Sequence, residues 1–167
     1  LARTHGIGSV IEFGANIGNN LKALRHLLPN AELAGIEINS LAAEQLNTWG
    51  EAEVFHESVL EFEAARQWDM ALIKGVLIHI SPDCLPEVYD RLHRTAGRYI
   101  CIVEYYNPSP VEVSYRGHVN RPFKRDFAGE MLDRFPDLRV VDYGFAWRRD
   151  PVFPLDDCSW FLLEKRS

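Results

Sequence analysis

Glu12, Glu37 and the glycines at 14 and 18 have the types and the spacing to do chemistry. The run Val10-Ile11-Glu12-Phe13-Gly14-Ala15-Asn16-Ile17-Gly18-Asn19-Asn20 passes from a short apolar strand to an acid, a glycine, a second glycine and then a helix. Such a run turns sharply off a strand end and lets a ligand approach bare backbone, because glycine has no Cβ to clash at positive φ. The first amides of the helix have no partner inside it. This geometry suits a nucleotide-like ligand at the carboxyl end of a strand in an open α/β sheet. The dinucleotide fingerprint G-x-G-x-x-G is not matched, since Asn16 stands where its second glycine would be. A pyrophosphate needs that close approach, so a ligand without phosphates fits better than NAD or FAD. Glu37 ends a second apolar segment about 25 residues after Glu12. A carboxylate there accepts two hydrogen bonds from a vicinal diol and so selects a ribose. The competing account is a pair of solvated acids at strand ends.

This pair of signals resembles the class I S-adenosylmethionine (SAM) methyltransferases. The resemblance implies that SAM is the cofactor and S-adenosylhomocysteine the product. It implies that the loop with Gly14, Asn16, Gly18 and Asn19 lies under the methionine part, with Glu12 near the amino group. Glu37, with Ile38 beside it, takes the ribose. The loop after the third strand contacts adenine in such proteins; the matching stretch here is Glu57-Ser58-Val59. A Ser58 hydroxyl accepts from the adenine amino group more weakly than a carboxylate. Lys74, Gly75 and Val76 complete the expected cofactor side.

Several further stretches are similar to the small enzymes known as pseudaminic acid biosynthesis-associated methylases. They are Lys74-Gly75-Val76-Leu77-Ile78-His79-Ile80, the run from Glu104 to Val113, Tyr115-Arg116-Gly117-His118, and the run from Phe123 to Met131. Asp142-Tyr143-Gly144-Phe145 and Arg149-Asp150-Pro151 add to them. The resemblance covers nearly the whole chain. It implies a class I SAM-dependent enzyme, in a family named for gene neighbourhood with nonulosonic sugar pathways. Such proteins carry a stretch before the first strand. This chain starts at Leu1 with a strand about ten residues on, so an incomplete amino terminus lacking a helical cover is expected.

The ends of the fourth and fifth strands should floor the transfer site, on the same carboxyl edge as the glycine loop. His79 can deprotonate a hydroxyl or amine, its ordinary pKa being near 6.5; the alternative is a histidine that packs or caps a helical turn. Glu104 can serve as base or orient an amine; the alternative is a structural acid bonding loop amides. Tyr106, counted with these as catalytic, Tyr105 and Asn107 offer a wall and donors for a polar, flat or sugar-like substrate, or else core packing by one tyrosine. Tyr115, Arg116, Arg121, Lys124 and Arg149 are candidate substrate-binding residues, a cradle for a carboxylate or phosphate. The alternative is a solvated loop with ordinary salt bridges. No cluster of His and Asp has the spacing of a metal site.

The elements that must position these residues alternate. Strands are expected at Ser9–Phe13, Glu32–Glu37, Glu53–His56, Trp68–Lys74 and Arg98–Glu104. Helices fall at about 18–28, from a Ser40 cap to about 48, at 82–95 and at 125–135, with a short polar helix near 62–67. A substrate-side loop insertion spans 105–124, and strands at 138–146 and 159–165 close the chain. The fold class is α/β: a Rossmann-like, seven-stranded class I methyltransferase sheet, mostly parallel with an antiparallel last strand, in a single domain over 1–167. At 167 residues the chain can bury one proper core. Its net charge of −6, without a basic run, argues against nucleic acid as a partner. No apolar stretch reaches the length of a membrane span. Three scattered cysteines point to neither a disulfide framework nor zinc, and a reducing cytoplasm is expected.

The function expected is methyl transfer from SAM to a small polar, anionic metabolite of the sugar or sugar-nucleotide type. The rivals are a methyltransferase acting on RNA or protein, and a SAM-binding module without turnover. The oligomeric state stays open.

Overall fold

The computed structural model describes residues 1–112 and 123–166. It contains a seven-stranded sheet in the order β3-β2-β1-β4-β5-β9-β8 and a separate two-stranded ribbon of β6 and β7. The strands are β1 (Ser9–Phe13), β2 (Glu32–Ile36), β3 (Glu53–Phe55), β4 (Trp68–Lys74), β5 (Ala96–Glu104), β6 (Val111–Glu112), β7 (Phe123–Lys124), β8 (Leu138–Ala146) and β9 (Cys158–Lys165). The helices are α1 (Asn19–Leu27), α2 (Ser40–Trp49), α3 (Leu85–Thr95) and α4 (Phe127–Arg134). The chain resolves into two compact units, one of Leu1–Leu72 with Glu87–Ile100, the other of Ile73–Pro86 with the chain from Cys101 onward.

In the first unit β1 runs parallel to β2, with Ser9 opposite Glu32 and Phe13 opposite Ile36. β2 is in turn parallel to β3. Every residue of β1 is buried, as a strand covered on both faces requires. Gly35 lies where β2 is closest to its cover: a Cβ there would meet Ala15 Cβ at 2.6 Å. Leu21 is the buried residue of α1, whereas Leu27 is exposed. The cap of α2 is Asn39, not Ser40; its side chain accepts from the Ala42 amide at 3.1 Å. Both residue types cap well, so composition alone does not separate neighbours. The short helix near 62–67 is absent. Phe62 is buried there and packs edge-on against Phe13 at 5.8 Å, which holds the segment by its side chain instead.

In the second unit β8 and β9 form an antiparallel pair, from Leu138 opposite Lys165 to Ala146 opposite Cys158, with an irregularity between Val140 and Asp142. β6 pairs antiparallel with β7, and Tyr106 bridges Arg125. α4 starts at a cap supplied by Asp126, which accepts from the Gly129 amide at 2.9 Å. The expected strand and helix bounds here hold to within two residues.

Candidate functional site

The loop leaving β1 makes its turn at Gly14, φ 75°, then at Asn16, φ 49°, and at Gly18, φ 80°. Asparagine is among the few side-chain-bearing residues that adopt this left-handed conformation readily. Gly18 is required twice over, because a Cβ would also run into the Leu46 side chain. The loop amides are consumed within the protein. Gly14 and Ala15 donate to the Ile36 carbonyl at 2.9 Å each, and Gly18 to Ala15 at 2.9 Å. Ile17 donates to the Asn16 side chain at 2.7 Å. The Asn16 amide donates to Glu37 Oε2 at 2.8 Å.

Glu37 is therefore a hub. Its other oxygen accepts from the Asn39 amide at 2.7 Å, and its own amide donates to Phe55 O at 3.0 Å. The acid fixes the β1 loop, the entry to α2 and the end of β3 together. A carboxylate has about four acceptor positions, so two remain for a ligand. Ile38, next to it, is exposed. Glu12 is fully buried, and its Oε1 accepts from the Asn20 amide group at 2.6 Å. Asn20 and Asn39 were not singled out by sequence; each sits one turn or less from a named acid or glycine, but only the fold shows which asparagine faces it. Asn19 is exposed at the start of α1. Ser58 Oγ accepts from the Leu60 amide at 3.1 Å, and Val59 is buried. The amides of residues 14–18 are thus all engaged, and Glu12 and Glu37 make the surroundings of the loop acidic.

In the second unit, Gly75 takes φ 65° at the end of β4, and its amide donates to Val103 O at 3.0 Å. The next amides, of Val76 and Leu77, both donate to Glu104 Oε1, at 2.7 and 2.8 Å. Lys74 precedes this turn and is half-buried. Glu104 is itself buried, and its Oε2 has no hydrogen-bond partner. Loss of hydration raises its pKa to about 7, against the opposing pull of the backbone amides. His79 closes the short 3-10 turn Leu77–His79, donates its amide to Val76 O at 2.9 Å and exposes its ring.

A small cleft lies beside Glu104, lined by Ile102, Tyr106, Arg125, Phe127, Ser159 and Phe161 among others, with room for about one water molecule at its centre. Arg125 Nε pairs with Glu130 at 2.6 Å. Lys124 Nζ stands 5.1 Å over the Tyr105 ring, and the Arg149 guanidinium 5.7 Å from the Trp147 ring. Asn107 bonds locally, to Ser109 O through its side chain. Tyr106 thus joins Glu104 at the cleft, while Lys124 and Arg149 do not line it. Tyr115, Arg116 and Arg121 lie outside the described residues. Ser159 and Phe161 were missed as cleft residues because strand pairing, not local spacing, brings them there. Among the described residues no group of His, Cys, Asp and Glu is placed to hold a metal ion, and no helix is long and apolar enough to cross a membrane.

No family model matches the chain, and no curated protein matches its sequence. Solved structures do. The chain is similar to a SAM-dependent methyltransferase from Methanosarcina mazei, with a TM-score of 0.74 at 11% identity over 99% of this chain and 95% of that one. It is similar to the 1,6-didemethyltoxoflavin-N1-methyltransferase of Burkholderia thailandensis, bound to 1,6-didemethyltoxoflavin and S-adenosylhomocysteine. The TM-score there is 0.73 at 20% identity, over 95% of this chain and 71% of that one. A third is the O-methyltransferase of a trans-AT PKS multienzyme of Brevibacillus brevis, in complex with S-adenosylhomocysteine, with a TM-score of 0.74 at 14% identity over 96% and 67% of the two chains. At these identities the likeness is one of architecture: the chain has the fold of SAM-dependent methyltransferases.

Proposed function

We propose that the protein is a SAM-dependent methyltransferase acting on a small polar, anionic metabolite. The observation that carries this reading is the Glu37 hub: a buried acid at the end of β2, locked by the Asn16 and Asn39 amides with acceptor positions to spare. The residues present suit the cofactor. SAM is cationic at sulfur and at its amino group and has no phosphate, which agrees with acids at both strand ends and with loop amides already used. Glu37 would hold the ribose hydroxyls, Ile38 would lie against the nucleoside, and Ser58 and Val59 would border the adenine. The Gly14–Asn19 loop would carry the methionine part, with Glu12 acting through Asn20.

When bound, SAM would supply an electrophilic methyl group to the acceptor. Glu104 receives the acceptor's proton at Oε2. Its raised pKa keeps the ionised and protonated forms both populated near neutrality. The Val76 and Leu77 amides hold the carboxylate in place, so little reorganisation accompanies proton transfer. His79 is the second candidate base. Tyr106, which lines the cleft together with Glu104, would stand on the acceptor side. Resemblance to the pseudaminic acid-associated methylases directs the first assays to sugars and sugar nucleotides. The three scattered cysteines of the sequence agree with a reducing, cytoplasmic setting.

Titration calorimetry with SAM and S-adenosylhomocysteine tests the reading, followed by an assay for homocysteine-side product on a panel of acidic metabolites. Binding of both ligands with turnover of at least one acceptor is expected. Absence of binding would remove the cofactor assignment.

A further inference from the structure

The cleft beside Glu104 continues onto an aromatic platform, and the two together define the acceptor more closely. The antiparallel register sets Tyr143 opposite Phe161 and Phe145 opposite Ser159. Directly opposed residues share a sheet face, and so do residues two apart on one strand, so all four project from one side of the β8–β9 pair. The Tyr143 and Phe161 rings are stacked, with centroids 5.9 Å apart and planes 16° apart. The Tyr106 ring lies 6.2 Å from Phe161. Tyr143 is 68% exposed, Phe145 60% and Tyr106 43%, an amount of uncovered ring surface that favours a partner.

The inner end of this platform is the cleft itself, since Tyr106, Phe161 and Ser159 line it together with Glu104. Glu104 Oε2 is buried there without a hydrogen-bond partner. A buried acceptor in that condition calls for a donor. The space at its centre is that of about one water molecule, enough for a single O–H or N–H tip but not for a ring. An aromatic guest laid along the platform gains offset stacking with its rings.

We propose that the methyl acceptor is a planar aromatic compound that lies on the Tyr106–Phe161–Tyr143 platform and points an O–H or N–H from its edge at Glu104. The proposal rests on the methyltransferase reading and narrows its acceptor, away from a free sugar. Arg125 also lines the cleft, with its guanidinium paired to Glu130.

A matched pair of probes tests it: 4-hydroxybenzoate and trans-4-hydroxycyclohexanecarboxylate, equal in charge and similar in size, one flat and one puckered. Binding of each to the S-adenosylhomocysteine-treated protein is followed by ligand-observed NMR titration, in the wild type and in Tyr143→Ala. Tyr143 is exposed, so the substitution leaves the core intact. The flat probe should bind at least about fivefold more tightly, and Tyr143→Ala should remove most of that preference without changing affinity for the puckered probe. Equal affinities, no binding of either probe, or a preference untouched by Tyr143→Ala overturns the proposal. So does a change of oligomeric state in Tyr143→Ala without a change in ring binding, which would make the platform a contact between copies. Calorimetry with SAM separates the two levels: cofactor binding without ring preference sinks this proposal alone, and loss of cofactor binding sinks the methyltransferase reading.

Discussion

The backbone amide of Asn16 donates to the side chain of Glu37 at 2.8 Å, joining residues 21 apart in the chain. The loop after β1 is thus shaped by the acid that ends β2. Removing that acid should do two things at once. Glu37→Ala should weaken binding of S-adenosylhomocysteine by about 1–3 kcal/mol, the range for lost hydrogen bonds to a charged group. It should also lower stability by a similar amount, because the Asn16 and Asn39 amides lose their acceptor. Calorimetry and urea unfolding on the same preparation read both. Unchanged affinity with lowered stability would leave Glu37 a purely structural residue.

Glu104 should make stability fall as pH rises. Its carboxyl titrates at about 7 in the fold against 4.5 for the ordinary group, so between those values the folded state holds a proton that the unfolded chain has released. Stability is then highest below pH 4.5 as far as this group is concerned, and declines up to about pH 7 by at most about 3 kcal/mol. Glu104→Gln should flatten that part of the profile in urea unfolding measured between pH 5 and 8.

Turnover should run the other way. A base must be ionised to work, so the rate should rise through about pH 7 in the wild type and be low at every pH in Glu104→Gln, with cofactor affinity nearly intact. His79→Ala provides the comparison. A larger loss in His79→Ala than in Glu104→Gln would move the base assignment to His79.

Gly18→Ala should destabilise the first unit. The added Cβ meets both the left-handed backbone and the Leu46 side chain. A cost of about 1–3 kcal/mol is expected, which lowers the melting temperature by about 3–10 °C in a chain of this size. Differential scanning calorimetry measures it, and an unchanged melting point would refute the packing described around α2.

Cys158 should resist alkylation. Burial, with Asp156 and Glu104 nearby, raises its thiol pKa, and the thiolate is the reactive form. Iodoacetamide at pH 8 followed by peptide mass analysis should label Cys84 before Cys158.

Much of this was legible in the sequence because it is local. Short runs rich in apolar residues located β1 and β4 to the residue, and the glycine spacing located the turns at Gly14 and Gly18. The acids at 12, 37 and 104 fell at strand ends as expected. What spacing could not show is who meets whom across the fold. Glu104 clasps the Val76 and Leu77 amides, more than 25 residues away, and Tyr143 finds Phe161 only through the β8–β9 register. Phe62 belongs to the same class: its polar neighbours suggested a helix, but burial against Phe13 and Phe55 decided the backbone.

A crystal structure with S-adenosylhomocysteine tests the central claim most directly. The ribose hydroxyls should sit on Glu37 while it still accepts from Asn16 and Asn39. Ligand bound elsewhere, or a ribose turned away from Glu37, would contradict the account.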